Sequence, residues 1–289
     1  MLSGWTRGGC LVLAHVVMGL APTRACAQAT GDTVPSAPLA DNSFLIEEAY
    51  NQERGVVQHI GLFVRDRTTR TWLFTFTQEW PAWSHRHQLS YMVPLVHFDG
   101  REGSPVTGVG DLFLNYRYQL VDAWVAIAPR LSILLPTGTY RKATGAGGPG
   151  VQLAVPLSAR LAPWITVNLN VGTTLHPGAR SVSGYRATTH GYYVGGSLIL
   201  FLSRRINGLV EGVALSDEDV VDGGGTTRAA GTLASVGIRW GHDIPGGVQV
   251  VPGIAWAIGR GASRDAGGLL LYLSVEHPFR KVNPPAAQD

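Results

Sequence analysis

Cysteine is almost missing from this chain of 289 residues, which has only Cys10 and Cys26. Charge is also scarce: Asp, Glu, Lys and Arg together make up 15% of the residues. Past the N-terminus, no window approaches the roughly 18 consecutive apolar residues that a membrane-spanning helix needs. That excludes a helical membrane protein. Heptads are absent and the glycines follow no collagen-like period, which excludes a coiled coil and a triple helix. What is plentiful is apolar side chain, at 45%, and glycine, with 37 residues; the mean hydropathy is +0.10. Such a chain is too apolar for disorder and too glycine-rich for a helical bundle. An apolar β-protein remains, and the question is which solvent its outside faces.

The first residues read as an address. Arg7 precedes a mainly apolar stretch from Cys10 to Ala21, then Pro22, then two overlapping small-x-small sites, Ala25-Cys26-Ala27 and Ala27-Gln28-Ala29. This predicts a secretory signal peptide over residues 1–29, cleaved after Ala27 or Ala29. Thr23-Arg24-Ala25 lacks the apolar residue of a lipobox, so Cys26 is not read as lipidated. Both cysteines leave with the leader. An exported chain without disulfides must draw its stability from a large core or from a closed hydrogen-bonded sheet. Cleavage also removes Arg7 and Arg24 and no acid, leaving 21 basic against 20 acidic side chains. The case for a nucleic-acid partner goes with them.

From Gly55 onward, period-two segments recur between turn residues. They predict twelve strands, near 55–64, 71–78, 87–97, 109–120, 123–135, 149–159, 163–173, 191–202, 206–215, 231–241, 247–258 and 268–279. In the clearest of them Leu112, Leu114, Tyr116, Tyr118 and Leu120 share one face, while Asp111, Asn115, Arg117 and Gln119 share the other. Taking Val121-Asp122 as a two-residue turn pairs Arg117 with Ala126 and Phe113 with Arg130, which puts both arginines on the polar side.

A sheet with one apolar and one polar face suits either a water-soluble sandwich or a membrane barrel with a polar lumen. Loop lengths favour the barrel. The connections 98–108, 136–148, 174–190, 216–230 and 259–267 read as long and alternate with tight ones at 121–122, 160–162, 203–205 and 242–246. An even strand number, short turns on one rim, and strands of about ten residues with aromatics near their ends complete the pattern of an all-β, transmembrane, up-and-down antiparallel barrel. The expected layout is a signal peptide at 1–29, an N-terminal periplasmic segment at 30–54, the barrel at 55–279 and a tail at 280–289.

Alternation points Asp111, Asn115, Arg117, Arg130, Gln152, Asn168, Asn170, Glu211, Arg239 and Glu276 inward as candidate lumen-lining residues. Their role is either to brace the barrel or to touch a solute. A twelve-stranded barrel is narrow, and residues 42–52 read as a short helix capped by Asn42 or Ser43. That helix is expected to fold into the mouth as a plug, with Glu47, Glu48 and Tyr50 facing the lumen and the two glutamates near luminal arginines. Other groupings carry less. His85, His87 and His97 lack the converging ligands of a zinc site, and Asp217, Glu218, Asp219 and Asp222 do not follow the calcium-loop pattern. Ser90 with His87, and Ser203 with His190, do not fall on one strand face as a catalytic pair must. No catalytic residue, metal or cofactor is assigned.

The run Gly108-Val-Gly-Asp-Leu-Phe-Leu-Asn-Tyr-Arg-Tyr118, followed by Pro129-Arg-Leu-Ser-Ile-Leu-Leu-Pro-Thr-Gly138, resembles the outer-membrane transporter family named after the meta-pathway of phenol degradation. The resemblance covers most of residues 42–279. It implies an outer-membrane barrel that passes small aromatic or hydrophobic compounds, and it supplies no catalytic residues. The final strand, ending on Phe279, resembles the terminal aromatic strand read by the barrel-assembly machinery, although Arg280 to Asp289 follow it. The expectation is therefore a non-enzymatic channel for small solutes, with outer-membrane lipid and the assembly machinery as partners. A structural or adhesion barrel, or a lipid-modifying outer-membrane enzyme, are the alternatives.

Overall fold

The computed structural model describes residues 39, 41–66, 69–99, 104–264 and 267–279. The leader at 1–29 and the tail at 280–289 lie outside the described residues. Twelve staves are built from sixteen strand segments. Three are single strands, β1 (Val56–Asp66), β2 (Trp72–Ala82) and β3 (His87–Phe98). The fourth is broken into β4 (Val106–Val109), β5 (Leu112–Tyr118) and β6 (Val121–Asp122), and the fifth into β7 (Val125–Ile127) and β8 (Arg130–Leu135). Next come β9 (Gly150–Ala162), β10 (Ile165–Arg180), β11 (Arg186–Phe201) and β12 (Ile206–Val220). β13 (Thr226–Trp240) continues into β14 (His242–Ile244), and β15 (Val248–Gly261) and β16 (Gly268–Pro278) complete the set. Neighbours pair antiparallel, and β16 returns to β1 in a register running from Val56 opposite Pro278 to Asp66 opposite Gly268. Closure leaves no sheet edge, so backbone N–H and C=O groups are paired all the way round, as lipid requires.

Two expectations about connections are corrected. The segments 174–190 and 216–230 are not long loops, because β10 with β11, and β12 with β13, keep pairing almost to their tips. The tips are closed by a bond from Ser181 N–H to the Tyr185 carbonyl (2.9 Å) and by Gly223 and Gly224 at φ 100° and 85°. The acids that look loop-like, Asp217, Glu218 and Asp219, lie within β12, and Glu218 stands opposite Arg228 and pairs with it at 2.8 Å. Also, the hairpin after β5 reverses at Ala123–Trp124 instead of Val121–Asp122. Asp122 pairs with Ala126, and a one-residue register shift between that pairing and the β5–β8 ladder brings Arg117 directly opposite Arg130. Relative to the expected register, Arg117 slides by an even number of residues. Both arginines consequently keep the polar face, because side-chain facing repeats every two residues.

The outer face shows why the fold needs lipid. Val194, Val236 and Ile258 are 57%, 61% and 65% exposed in a belt of aliphatic side chains around the barrel, a surface that water would not tolerate. Trp83, Trp124, Trp164 and Trp240 are exposed at the rim of tight turns, where an interfacial girdle belongs.

The inner face departs from a uniformly polar lumen. Ile60, Leu62, Val64, Leu73, Leu209, Val213, Leu233 and Leu270 point inward and are buried in one apolar cluster together with Phe44, Leu45 and Ile46 of the N-terminal segment. On β1 the alternation of polarity is lost, because Ile60, Leu62 and Val64 face this inner core while the outward positions mix His59 and Arg65 with Gly61 and Phe63. The lumen therefore has two walls. One is apolar, centred on β12, β13, β15, β16 and β1; the other is polar and runs from β3 through β5 and β8 to β10.

Candidate functional site: a strap across the lumen

Residues 41–49 are all buried inside the barrel, yet they form no helix. The expected helical plug is corrected to an irregular strap, and the backbone hydrogen bonds give the reason. A helix would turn its N–H groups onto its own carbonyls. Here alternate N–H groups go to side chains of the wall instead: Leu45 to Glu211 Oε1 (2.9 Å), Glu47 to Asn170 Oδ1 (2.7 Å), Ala49 to Ser158 Oγ (2.8 Å) and Asn51 to Gln119 Oε1 (2.8 Å). Gln52 N–H follows, donating to Gln88 Oε1 at 2.7 Å. Asn42 caps nothing; its Oδ1 accepts from Glu48 N–H at 3.3 Å across the bend. Ser43 instead donates from Oγ to Ser197 Oγ at 2.7 Å. At the entry, Asp41 Oδ1 accepts from Gln58 Nε2 (3.1 Å) and from the Tyr272 hydroxyl (2.9 Å).

The polar wall grips the strap through two arginines. Arg117, 1% exposed, donates to the carbonyls of Glu48 (3.2 Å) and Tyr50 and to Asn51 Oδ1 (2.8 Å). Gln119 Nε2 adds a bond to the Ala49 carbonyl at 2.6 Å. Arg130 ion-pairs with Glu47 at 2.7 Å, both side chains being at most 5% exposed, and donates to Asn115, Ser132 and Gln152. Two like charges opposite each other on paired strands repel. The carboxylate and carbonyl oxygens of the strap, together with the charge of Glu79 on the wall, offset that repulsion. Glu48 lies in the Coulombic field of Arg239 and Arg117. The Tyr50 ring packs against Ala49, Ala126 and Ala128.

The apolar wall grips by shape. Inward glycines leave room for strap side chains, so that a Cβ at Gly237 would stand 2.5 Å from the Phe44 ring, at Gly253 2.7 Å from it, and at Gly195 2.5 Å from Ile46. Phe44 meets Tyr272 edge to face, with ring centroids 5.7 Å apart. Leu39 sits over Gly241 in the same way.

The other inward residues divide by role. Asn168 bridges Ser158 and Ser197, and Gln152 reaches Thr174, so these brace neighbouring staves. Asp111 anchors a loop near the far rim, accepting from Gly138 N–H (3.0 Å) and Ala146 N–H (2.7 Å). Glu211 serves the strap and accepts from Ser235 as well. Glu276 is buried opposite Gln58, and Arg239, 0% exposed, has no hydrogen-bond partner among the described residues. The strap acceptors Gln88, Gln119 and Ser158 and the glycine seats were not among the sequence candidates. Their inward phase on alternating strands was the available signal.

At the far rim, the loop carrying the 3-10 turn Tyr140–Lys142 folds against β10, β11 and β12 around a cleft of about 230 Å³. Arg141 and Arg180 lie over the Tyr140 ring, and their hydrogen bonds hold its hydroxyl below the usual tyrosine range. The histidines disperse: His87 Nδ1 is 2.8 Å from the Tyr116 hydroxyl on the outer face, and His97 Nδ1 is 2.7 Å from Thr107 Oγ1 at the other end of β3. Ser90 points inward to Asn115 while His87 points outward, and Ser203 and His190 lie at opposite rims.

No family model and no curated protein matches the chain. Among solved structures, it is similar to an outer membrane channel from Pseudomonas putida F1, at 17% identity and TM-score 0.54, over 79% of this chain and 97% of that one. It is also similar to the NanC porin, at 10% identity and TM-score 0.50, over 76% of this chain and 98% of that one. At these identities the similarity speaks to the fold, which those barrels share.

Proposed function

We propose that the protein is an outer-membrane channel for passive movement of small solutes, exported by its leader, with residues 41–52 as a removable plug. The observation that carries this reading is how the lumen is filled. A barrel built only as a scaffold closes its interior with side chains of its own wall. Here the centre is occupied by a separate stretch of chain, fastened by side-chain hydrogen bonds and by seats left open in the wall. Outer-membrane channels among similar solved structures support the same reading. With the strap withdrawn, the passage has one largely apolar side and one side bearing Arg117 and Arg130, which suits small aromatic or hydrophobic compounds, as the resemblance to the phenol meta-pathway family also implies. Outer-membrane lipid and the assembly machinery are the partners that such a barrel needs.

Swelling of liposomes that contain the purified protein, measured with neutral solutes of graded size, tests the proposal. Influx that falls with solute size supports a channel. Swelling no faster than that of protein-free liposomes for every solute contradicts it.

A further inference from the structure

Resting on that channel reading, we infer that Arg117 and Arg130 form a binding site for the carboxylate of an amphiphilic solute, occupied in the plugged state by Glu47 as an internal stand-in. The two arginines are Cα partners on adjacent staves, both at most 6% exposed. No carboxylate of the wall is ion-paired to either among the described residues; Glu79 accepts instead from Gln88 at 3.0 Å. Their anionic partner comes from the strap, through the 2.7 Å contact of Glu47 with Arg130. Removing the strap therefore leaves buried Arg130 without its ion-pair partner and Arg117 with only the nearby charge of Glu79, an arrangement that is costly until an anion replaces the one withdrawn. A guanidinium fork matches the two oxygens of a carboxylate, so the replacement has the chemistry of the group it displaces.

The strap also indicates what accompanies the carboxylate. Within three residues of Glu47, the Ile46 side chain lies against Gly195, and Phe44 lies against Gly237, Gly253 and Tyr272. An extended chain advances about 3.3 Å per residue, so the anionic and apolar seats are at most about 10 Å apart along it. A molecule with one carboxylate and a short hydrocarbon or aryl body meets both walls at once. It competes with the strap for the seats that hold the strap in place, so that a solute of this class promotes its own passage.

Titration calorimetry on the detergent-folded full chain tests the site separately from transport. In Glu47→Gln the stand-in carboxylate is gone. Hexanoate is expected to bind this variant about tenfold more tightly than 1-hexanol, the margin of one charge-assisted hydrogen bond, and more tightly than acetate. In Glu47→Gln/Arg130→Gln that preference is expected to vanish, and in Glu47→Gln/Arg130→Lys to be reduced but retained. Equal binding of hexanoate and hexanol, or a hexanoate affinity unchanged by Arg130→Gln, overturns the inference. Heat-modifiable gel migration establishes that each barrel has assembled. If Glu47→Gln does not assemble, wild-type protein in planar bilayers gives the same contrast, with hexanoate raising the open fraction and hexanol not; equal responses overturn the inference. An absence of liposome swelling refutes the channel without touching the calorimetric result.

Discussion

The two walls of the lumen hold the same strap by different physics. On the polar side, Arg117, Gln119, Asn170 and Ser158 satisfy strap carbonyls and N–H groups one by one, and Arg130 takes the Glu47 carboxylate. On the apolar side hydrogen bonds are few, from Leu45 N–H to Glu211 and from Gln58 and Tyr272 to Asp41, and Gly195, Gly237 and Gly253 provide hollows that Ile46 and Phe44 fill. Polar contacts inside a barrel are replaceable by water once the strap lifts, whereas the hollows lose their contacts outright. The polar wall therefore sets the register of the strap and the apolar wall supplies much of its hold. A strap that needs both is fixed in one position, and it can leave when either is contested.

Several changes break that comparison, beginning with the largest. Deleting residues 42–52 removes the occupant of both walls, and single-channel conductance in planar bilayers is expected to rise several-fold with heat-modifiable migration retained. Attacking the polar wall alone comes next. Glu47→Gln and Arg130→Gln each leave one member of a buried pair uncompensated, at a cost of about 3–5 kcal/mol if the site stays dry and less where water enters. Because the two lose the same contact, the double variant is expected to be less destabilised in urea than the sum of the singles. The apolar wall is sharpened by Gly253→Ala, which sets a methyl 2.7 Å from the Phe44 ring and is expected to cost about 1–3 kcal/mol of strap docking. Gly212→Ala, whose Cβ meets nothing within 4 Å, is the matched control and is expected to be near neutral. Limited proteolysis within residues 41–54 distinguishes the two, with faster cleavage in the first only.

The sequence made one wall legible and hid the other. Asp111 to Leu120 alternates polar with apolar, and so does Trp164 to Gly172, which is why Asn115, Arg117, Asn168 and Asn170 were assigned the inward phase that the structure gives them. The even slip of the β5–β8 hairpin left Arg117 and Arg130 on that face even though the turn lay further on. The apolar wall had no such signature, because Ile60, Leu62 and Val64 alternate with Gly61 and Phe63 between His59 and Arg65, so no polar stripe marks the inward phase. The strap misled for a related reason. Ser-Phe-Leu-Ile-Glu-Glu-Ala has helical composition, and nothing local announces that its N–H groups have partners elsewhere in the chain. Those partners, from Gln88 to Glu211, are distant in sequence and converge only when the barrel closes.

The lack of cysteine in the barrel allows the central claim, that the strap is the closure of the lumen, to be tested by a single bond. Ser43 Oγ and Ser197 Oγ are 2.7 Å apart, so a Ser43→Cys/Ser197→Cys variant that also carries Cys10→Ala and Cys26→Ala places two thiols where a disulfide can form. The measurement is single-channel current before and after reduction. The account predicts a shut barrel when oxidised and recovery of openings on adding reductant; equal conductance in the two states contradicts it.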